Sequence, residues 1–252
     1  MGLTLPKSAG SHFALGLLEV VRASAGDGPG RAATVGERPV PRLSAAPPST
    51  GELLELMRTD PARGAPLFYD RFQGEVNRLV WRLLGADPDH DDVVQQVFLI
   101  ALRRVSQVRE ADKLLLWVRS ITVNSVYDEI RKRRTRRLFL RDASQGEVHR
   151  SLVHDVEVRD FLMRAKRVLD RMPPAERMVF LLHVLEGKTL PEISELCGYS
   201  VATAKRRLNR ANERFEKLVG REPELARLLG SMRLDVGPSE EPDQRVSDDD
   251  GA

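Results

Sequence analysis

Two apolar stripes of helical period, separated by Gly198-Tyr199-Ser200, narrow most sharply what this chain can form. In the longer one Val201, Ala204, Leu208, Ala211, Phe215 and Leu218 recur at spacings of 3, 4, 3, 4 and 3, which brings them to one face of an α-helix. The shorter one, over residues 190–197, stops at the glycine. A short helix, a glycine-containing turn and a longer helix with cations off its apolar side describe a helix-turn-helix. Arg and Asn reach base edges bidentately, while Lys, Ser and Thr hold phosphates. Ser200, Thr203, Lys205, Arg206, Asn209 and Arg210 are therefore candidates for duplex contact in a major groove. The plainer alternative is a solvated face on an ordinary bundle helix.

The rest of the chain has the same helical character. Only 5% of its 252 residues are aromatic and 31% are charged, with few strand-like runs, so an all-α protein is expected. Phe68, Phe72, Val76, Leu79, Val80 and Leu83 mark one helix, closed by Gly85 and Pro88. Val93, Val94, Val97, Phe98, Ala101, Leu102 and Val105 mark a second, with Asp92, Gln95, Gln96, Arg103 and Arg104 opposite. Leu114, Trp117, Val118 and Ile121 open a third that runs through Ile130 into a basic segment. Val158, Phe161, Leu162, Ala165, Val168, Leu169 and Met172 begin a second block, which Pro173-Pro174 breaks before a helix ending at Gly187.

Charge is unevenly placed. Arg131, Lys132, Arg133, Arg134, Arg136, Arg137 and Arg141 form seven cations without an intervening acid, a pattern suited to a polyanion and to salt-dependent binding. Residues 235–252 hold seven acids against Arg245 and read as a solvated tail that shields the basic faces in cis. Residues 26–51, rich in Gly, Pro, Ala and Ser, read as a flexible leader, and Met57 just before the first sustained pattern reads as an alternative start.

Other chemistry finds little support. The single cysteine, Cys197, excludes an intramolecular disulfide and fits a reducing compartment. The apolar run over residues 13–21 is interrupted by Glu19, with Arg22 after it, so neither a secretory signal nor a membrane span is expected and the protein is read as cytoplasmic. The five histidines form no ligand set, and no phosphate-cradling loop, nucleophile elbow or carboxylate pair appears. No cofactor, metal or enzymatic activity is expected. Trp117 stays open between core packing, by its register with Leu114 and Ile121, and stacking on an unpaired base.

These segments resemble the extracytoplasmic-function sigma factors of the sigma-70 superfamily. Asp89-His90-Asp91-Asp92-Val93-Val94-Gln95-Gln96-Val97-Phe98 is similar to that family's polymerase-binding helix, with Gln96 where glutamate is usual. Residues 116–124, then Asp128 and the Arg-rich run, resemble its promoter-melting segment, although Lys113-Leu114-Leu115 departs from the usual aromatic-basic-Thr pattern. Residues 169–177, 186–187 and 190–194 resemble its second domain, with Ala202, Ala204 and Arg206 departing from the common recognition helix.

The resemblance implies that Asp92, Gln95, Gln96 and Phe98 bind core RNA polymerase. It implies that Arg109, Lys113, Trp117, Asn124, Asp128, Arg131 and Arg134 contact the opened minus-ten element of promoter DNA, and that the helix-turn-helix residues read the minus-thirty-five element. An anti-sigma factor is a further implied partner. The expected organisation is a leader over 1–50, a first helical domain of three to four helices over 51–137 and a flexible linker over 138–157. A four-helix second domain over 158–219 and an acidic tail over 220–252 complete it. The competing functions are a helix-turn-helix regulator that binds duplex DNA without joining polymerase and a DNA-processing enzyme with a helix-turn-helix appendage. The latter needs a sizeable α/β domain, which this sequence does not offer.

Overall fold

The computed structural model describes residues 47–85, 87–140, 156–225 and 227. The leader before residue 47, the middle of the linker with His149 and His154, and the chain after residue 227 lie outside them, while the start of the expected tail packs on the second bundle through buried Leu225 and the Arg171–Glu222 pair at 3.1 Å. Eight α-helices, with no strand, make up the described residues. They are α1 (Thr50–Thr59), α2 (Pro61–Leu84), α3 (His90–Arg104), α4 (Leu114–Leu140), α5 (Val156–Arg171), α6 (Pro174–Val184), α7 (Leu190–Cys197) and α8 (Val201–Val219). Two single 3₁₀ turns, Val105–Gln107 and Ala111–Lys113, connect α3 to α4. The 138–157 linker thus shares both ends with helices. None of the described helices is long and apolar enough to cross a membrane.

The first bundle holds α1 to α4. α1 begins in a capping box: the Glu52 amide donates to Ser49 Oγ (3.2 Å), and the Ser49 amide donates to Glu52 (2.7 Å). Leu53, Leu54 and Met57 are buried, so α1 is part of the core. A chain beginning at Met57 would lack Leu53, Leu54 and the cap. α2 turns away at Asp60 and passes close to α1 at Gly64, where a Cβ would lie 2.8 Å from Met57 Sδ and 3.0 Å from its backbone. Only glycine permits that approach.

In the second bundle Phe180 of α6 stacks on Phe215 of α8 at 4.8 Å. Phe161, Val168, Met172, Ile193, Ala204 and Ala211 fill the core around them. The stripe read from the sequence holds except at its ends: Val201 is exposed, and Val219 is buried where Leu218 is half-buried.

The bundles pack on each other, with α4 against α6 and α7, and α2 against α6. The contact is polar at its edges. Arg82 of α2 pairs with Glu186 at 3.0 Å, and Arg134 donates to the Met172 carbonyl at 3.0 Å. Buried Arg177 pairs with Asp170 at 2.5 Å and reaches the Leu83 carbonyl at 3.5 Å. Buried Asp87 lies between Arg133 and Lys166, the latter 3.9 Å away. Burial opposes its ionisation, yet the Arg133 guanidinium and Lys166 hold its carboxyl below the ordinary range.

Candidate nucleic-acid interface

The helix-turn-helix is built by caps at both ends of its turn. α7 starts in a capping box in which Thr189 Oγ1 accepts from the Glu192 amide. Hydrogen bonds from Thr189, with Lys188 beside it, draw the Glu192 carboxyl down to about 2. α7 ends at Gly198 in the left-handed region (φ 70°), whose amide donates to the Ser194 carbonyl. Ser200 then caps α8 by accepting from the Thr203 amide at 3.3 Å.

On the outer side of α8, Lys205, Arg206, Asn209 and Arg210 are exposed and Thr203 is half-buried. Arg206 donates to Thr203 Oγ1 at 3.3 Å, while Ser200 faces the same side from the cap. The structure therefore brings together all six residues expected there. Arg207, one position aside, lies 4.4 Å above the Tyr199 ring and braces the turn.

The second face follows α4. Trp117, Ser120, Asn124, Asp128, Arg131 and Arg134 recur every three or four residues and so share a side of α4, with Lys113 in the turn just before it. Arg109, in the loop before it, is exposed, as are Lys113, Asn124, Asp128, Arg131 and Arg134. Trp117 is half-buried against the core, so packing accounts for much of its surface. Glu110, with Asp112 and Glu195 behind it, raises the Lys113 ammonium above its ordinary value.

The strip is crossed by the second bundle. Ser120 Oγ donates to the Leu196 carbonyl of α7 at 2.8 Å, Asn124 donates to Ser120 at 3.4 Å, and Arg134 is engaged with Met172. The basic run is also not uniformly available. Arg133 is held by Asp87, by Asp89 at 2.6 Å and by Glu129 at 2.9 Å, and its side chain is only 18% exposed. That is a structural role, and the even spacing of cations gave no sign of it.

On α3, Asp92, Gln95 and Gln96 are exposed on one side. Phe98, expected among them, is instead buried, with its ring 4.7 Å from Tyr69 and 6.3 Å from Phe68. Its register places it with Val94 and Ala101 on the core side. Leu102, expected on the apolar stripe, is instead more than a third exposed because its register turns it away from the core, and with Leu99 and Tyr69, which sequence reasoning missed, it forms apolar surface beside that face. The spacing of Leu99 and Leu102 from Asp92 and Gln95 is the signal that would have found them.

The described residues thus form two packed bundles, one carrying an exposed cationic helix-turn-helix and the other a polar strip along a long helix. A family model described as Sigma-70 region 2 matches residues 68–136, and one described as Sigma-70, region 4 matches residues 162–214. These two matched segments belong to the sigma-70 family, and among the relatives they resemble are sigma factors of the extracytoplasmic-function type. The chain is 28% identical over 129 residues to the ECF RNA polymerase sigma factor EcfG of Rhodopseudomonas palustris, covering 51% of this chain and 70% of that one. It is 28% identical over 131 residues to a probable RNA polymerase sigma factor, RfaY, of Xanthomonas campestris pv. campestris, covering 48% and 32%. To the ECF RNA polymerase sigma factor SigE of Mycolicibacterium smegmatis it is 27% identical, covering 56% and 55%. The matched part thus spans 32% to 70% of these relatives' lengths. A solved structure of CnrH in complex with the cytosolic domain of CnrY matches with a TM-score of 0.45 at 21% identity, covering 67% of this chain and 95% of that one.

Proposed function

We propose that this chain joins core RNA polymerase and directs it to promoters, recognising one DNA element as duplex and capturing a second as an opened strand. It acts by binding, with no chemical step of its own, in the cytoplasm where polymerase works. The first bundle serves as the module for polymerase and the minus-ten element and the second as the module for the minus-thirty-five element. Asp92, Gln95, Gln96, Leu99 and Leu102 make up the polymerase surface, in which exposed apolar groups beside polar ones suit a protein interface. Phe98 supports that surface from beneath.

The observation that carries the reading is the pairing of two unlike DNA faces in one chain. On α8, Arg206, Asn209 and Arg210 stand on the exposed side of a helix of the length and capping that a major groove admits. On α4, a strip with Trp117, Asn124 and Arg131 suits unstacked bases and a single backbone. Holding an extruded base offsets an unstacking cost on the order of a few kcal/mol, so strand opening is driven by binding alone. A regulator confined to duplex DNA would leave the α3 face and the α4 strip without a task.

Because Ser120 and Arg134 are engaged by the second bundle, strand capture requires the bundles to separate. Polymerase, by holding each module, would supply that separation, and an anti-sigma factor would oppose it by covering the α3 face. Run-off transcription from genomic fragments with core polymerase, with and without the chain, tests the reading. Discrete chain-dependent start sites are expected, and unchanged transcription by core polymerase would overturn it.

A further inference from the structure

α1 lies before the segment that the region 2 model matches, and no expected site residue falls on it. Its surroundings give it a task. It touches both 3₁₀ turns between α3 and α4, and Arg58 Nη2 donates to the Val108 carbonyl at 2.5 Å across a separation of 50 residues. The connecting segment is pinned by the buried side chains of Val105 and Val108 but makes few backbone hydrogen bonds of its own. Within it the Val108 amide donates to the Val105 carbonyl at 3.0 Å and the Lys113 amide to that of Glu110 at 3.3 Å, while Val108 and Glu110 are extended. Segments with so few backbone bonds open at low free-energy cost. Yet the same segment carries Arg109 and Lys113, and Asp112 and Leu115 form one wall of a cleft of about 450 Å³ whose other walls include Thr50 of α1 and Arg71 of α2.

α1 is itself firmly seated. Besides the buried Leu53, Leu54 and Met57, Arg71 donates to the Pro48 carbonyl and to Thr50 Oγ1, both at 2.8 Å. Glu55, 3.6 Å from Arg58, orients the guanidinium. A seated helix therefore offers one donor to the backbone of a loop that is anchored by side chains and poor in backbone hydrogen bonds.

We propose that Arg58 is a positioning residue for strand capture: by holding the Val108 carbonyl it fixes the loop that presents Arg109 and Lys113 to the opened strand. This rests on the promoter-opening function above. It also makes α1 a working part of the first module.

The test uses full-length wild type, Arg58→Ala and Arg58→Lys. Hydrogen exchange on the free chain comes first: Arg58→Ala should speed exchange of amides 106–113 and leave those of residues 190–218 unchanged. Holoenzymes are then compared on the promoter fragment that wild type transcribes most strongly from genomic DNA. Arg58→Ala should slow strand opening, followed by permanganate reactivity, about fivefold, the equivalent of one ordinary hydrogen bond. Affinity for the upstream duplex fragment should stay constant, and Arg58→Lys should recover most of the rate. A general structural defect would instead weaken duplex and strand binding together. That result, or an unchanged opening rate, overturns the inference. Wild-type holoenzyme that opens no promoter overturns the underlying function instead, so the two failures are distinguishable.

Discussion

The two faces proposed to bind DNA are built in opposite ways. The helix-turn-helix face is finished within its own bundle, with Gly198 and the Ser200 cap setting the turn and the side chains of Arg206, Asn209 and Arg210 pointing to solvent. The α4 strip depends on its neighbours: α1 props the loop at its start, the Asp87–Arg133 pair anchors its far end, and α7 lies across its middle. Duplex DNA presents a groove that a rigid helix enters unaided. An opened strand forms only as it is captured, so its site gains from being closed until the partner arrives. The difference suggests that the two faces respond to different perturbations.

The largest expected effect separates the bundles. Phe180 is fully buried and stacked on Phe215, and Phe180→Ala should cost the second bundle about 3–5 kcal/mol. Differential scanning calorimetry should then show a split transition, with α8 melting before α4. A single shifted transition would mean that the interface couples the bundles more tightly than the comparison allows.

Next is Arg210→Ala, which should weaken binding to a minus-thirty-five duplex by about 1–3 kcal/mol. Fluorescence anisotropy with a single-stranded minus-ten oligonucleotide should register no change. Loss on both probes would place Arg210 in a shared electrostatic field and not in a groove.

Asp87 offers a test by pH. Its carboxyl ionises more readily in the folded chain than in the unfolded one, so its contribution is fully present above about pH 4 and is lost as pH falls through the lower folded value. Urea midpoints should decline more steeply below about pH 4 in wild type than in Asp87→Asn. Parallel declines would show that another carboxylate carries the acid sensitivity.

The smallest effect concerns closure. Ser120→Ala removes the hydrogen bond to Leu196, worth about 1 kcal/mol, and should raise the free chain's affinity for the single-stranded oligonucleotide severalfold while duplex affinity stays fixed. Equal single-strand affinity in variant and wild type would mean that α7 does not obstruct the strip.

Legibility in the sequence followed the range of the interaction. The stripes of α2, α3 and α8 were readable because a helix that buries one face must repeat its apolar residues at helical period, and the α7–α8 turn because glycine and serine there perform local backbone tasks. The six helix-turn-helix candidates followed from the same register. Phe98 carried two readings, core by its register and polymerase contact by resemblance, and it is buried because motif membership does not say which side of a helix a residue occupies. α1 was missed since ten residues with three buried positions give too short a pattern beside a Pro- and Gly-rich leader.

The sequence by itself determined every helix except α1, most of their apolar faces and the location of the cations, all of which follow from neighbours within a turn or two along the chain. Tertiary structure alone decided which cations remain available and which groups guard the strip. Arg133 is neutralised by Asp87, a separation of 46 residues, and Ser120 meets Leu196 across 76. No local periodicity encodes such pairs, because their partners are brought together only when separate apolar faces pack and the polar groups at the rim must find one another.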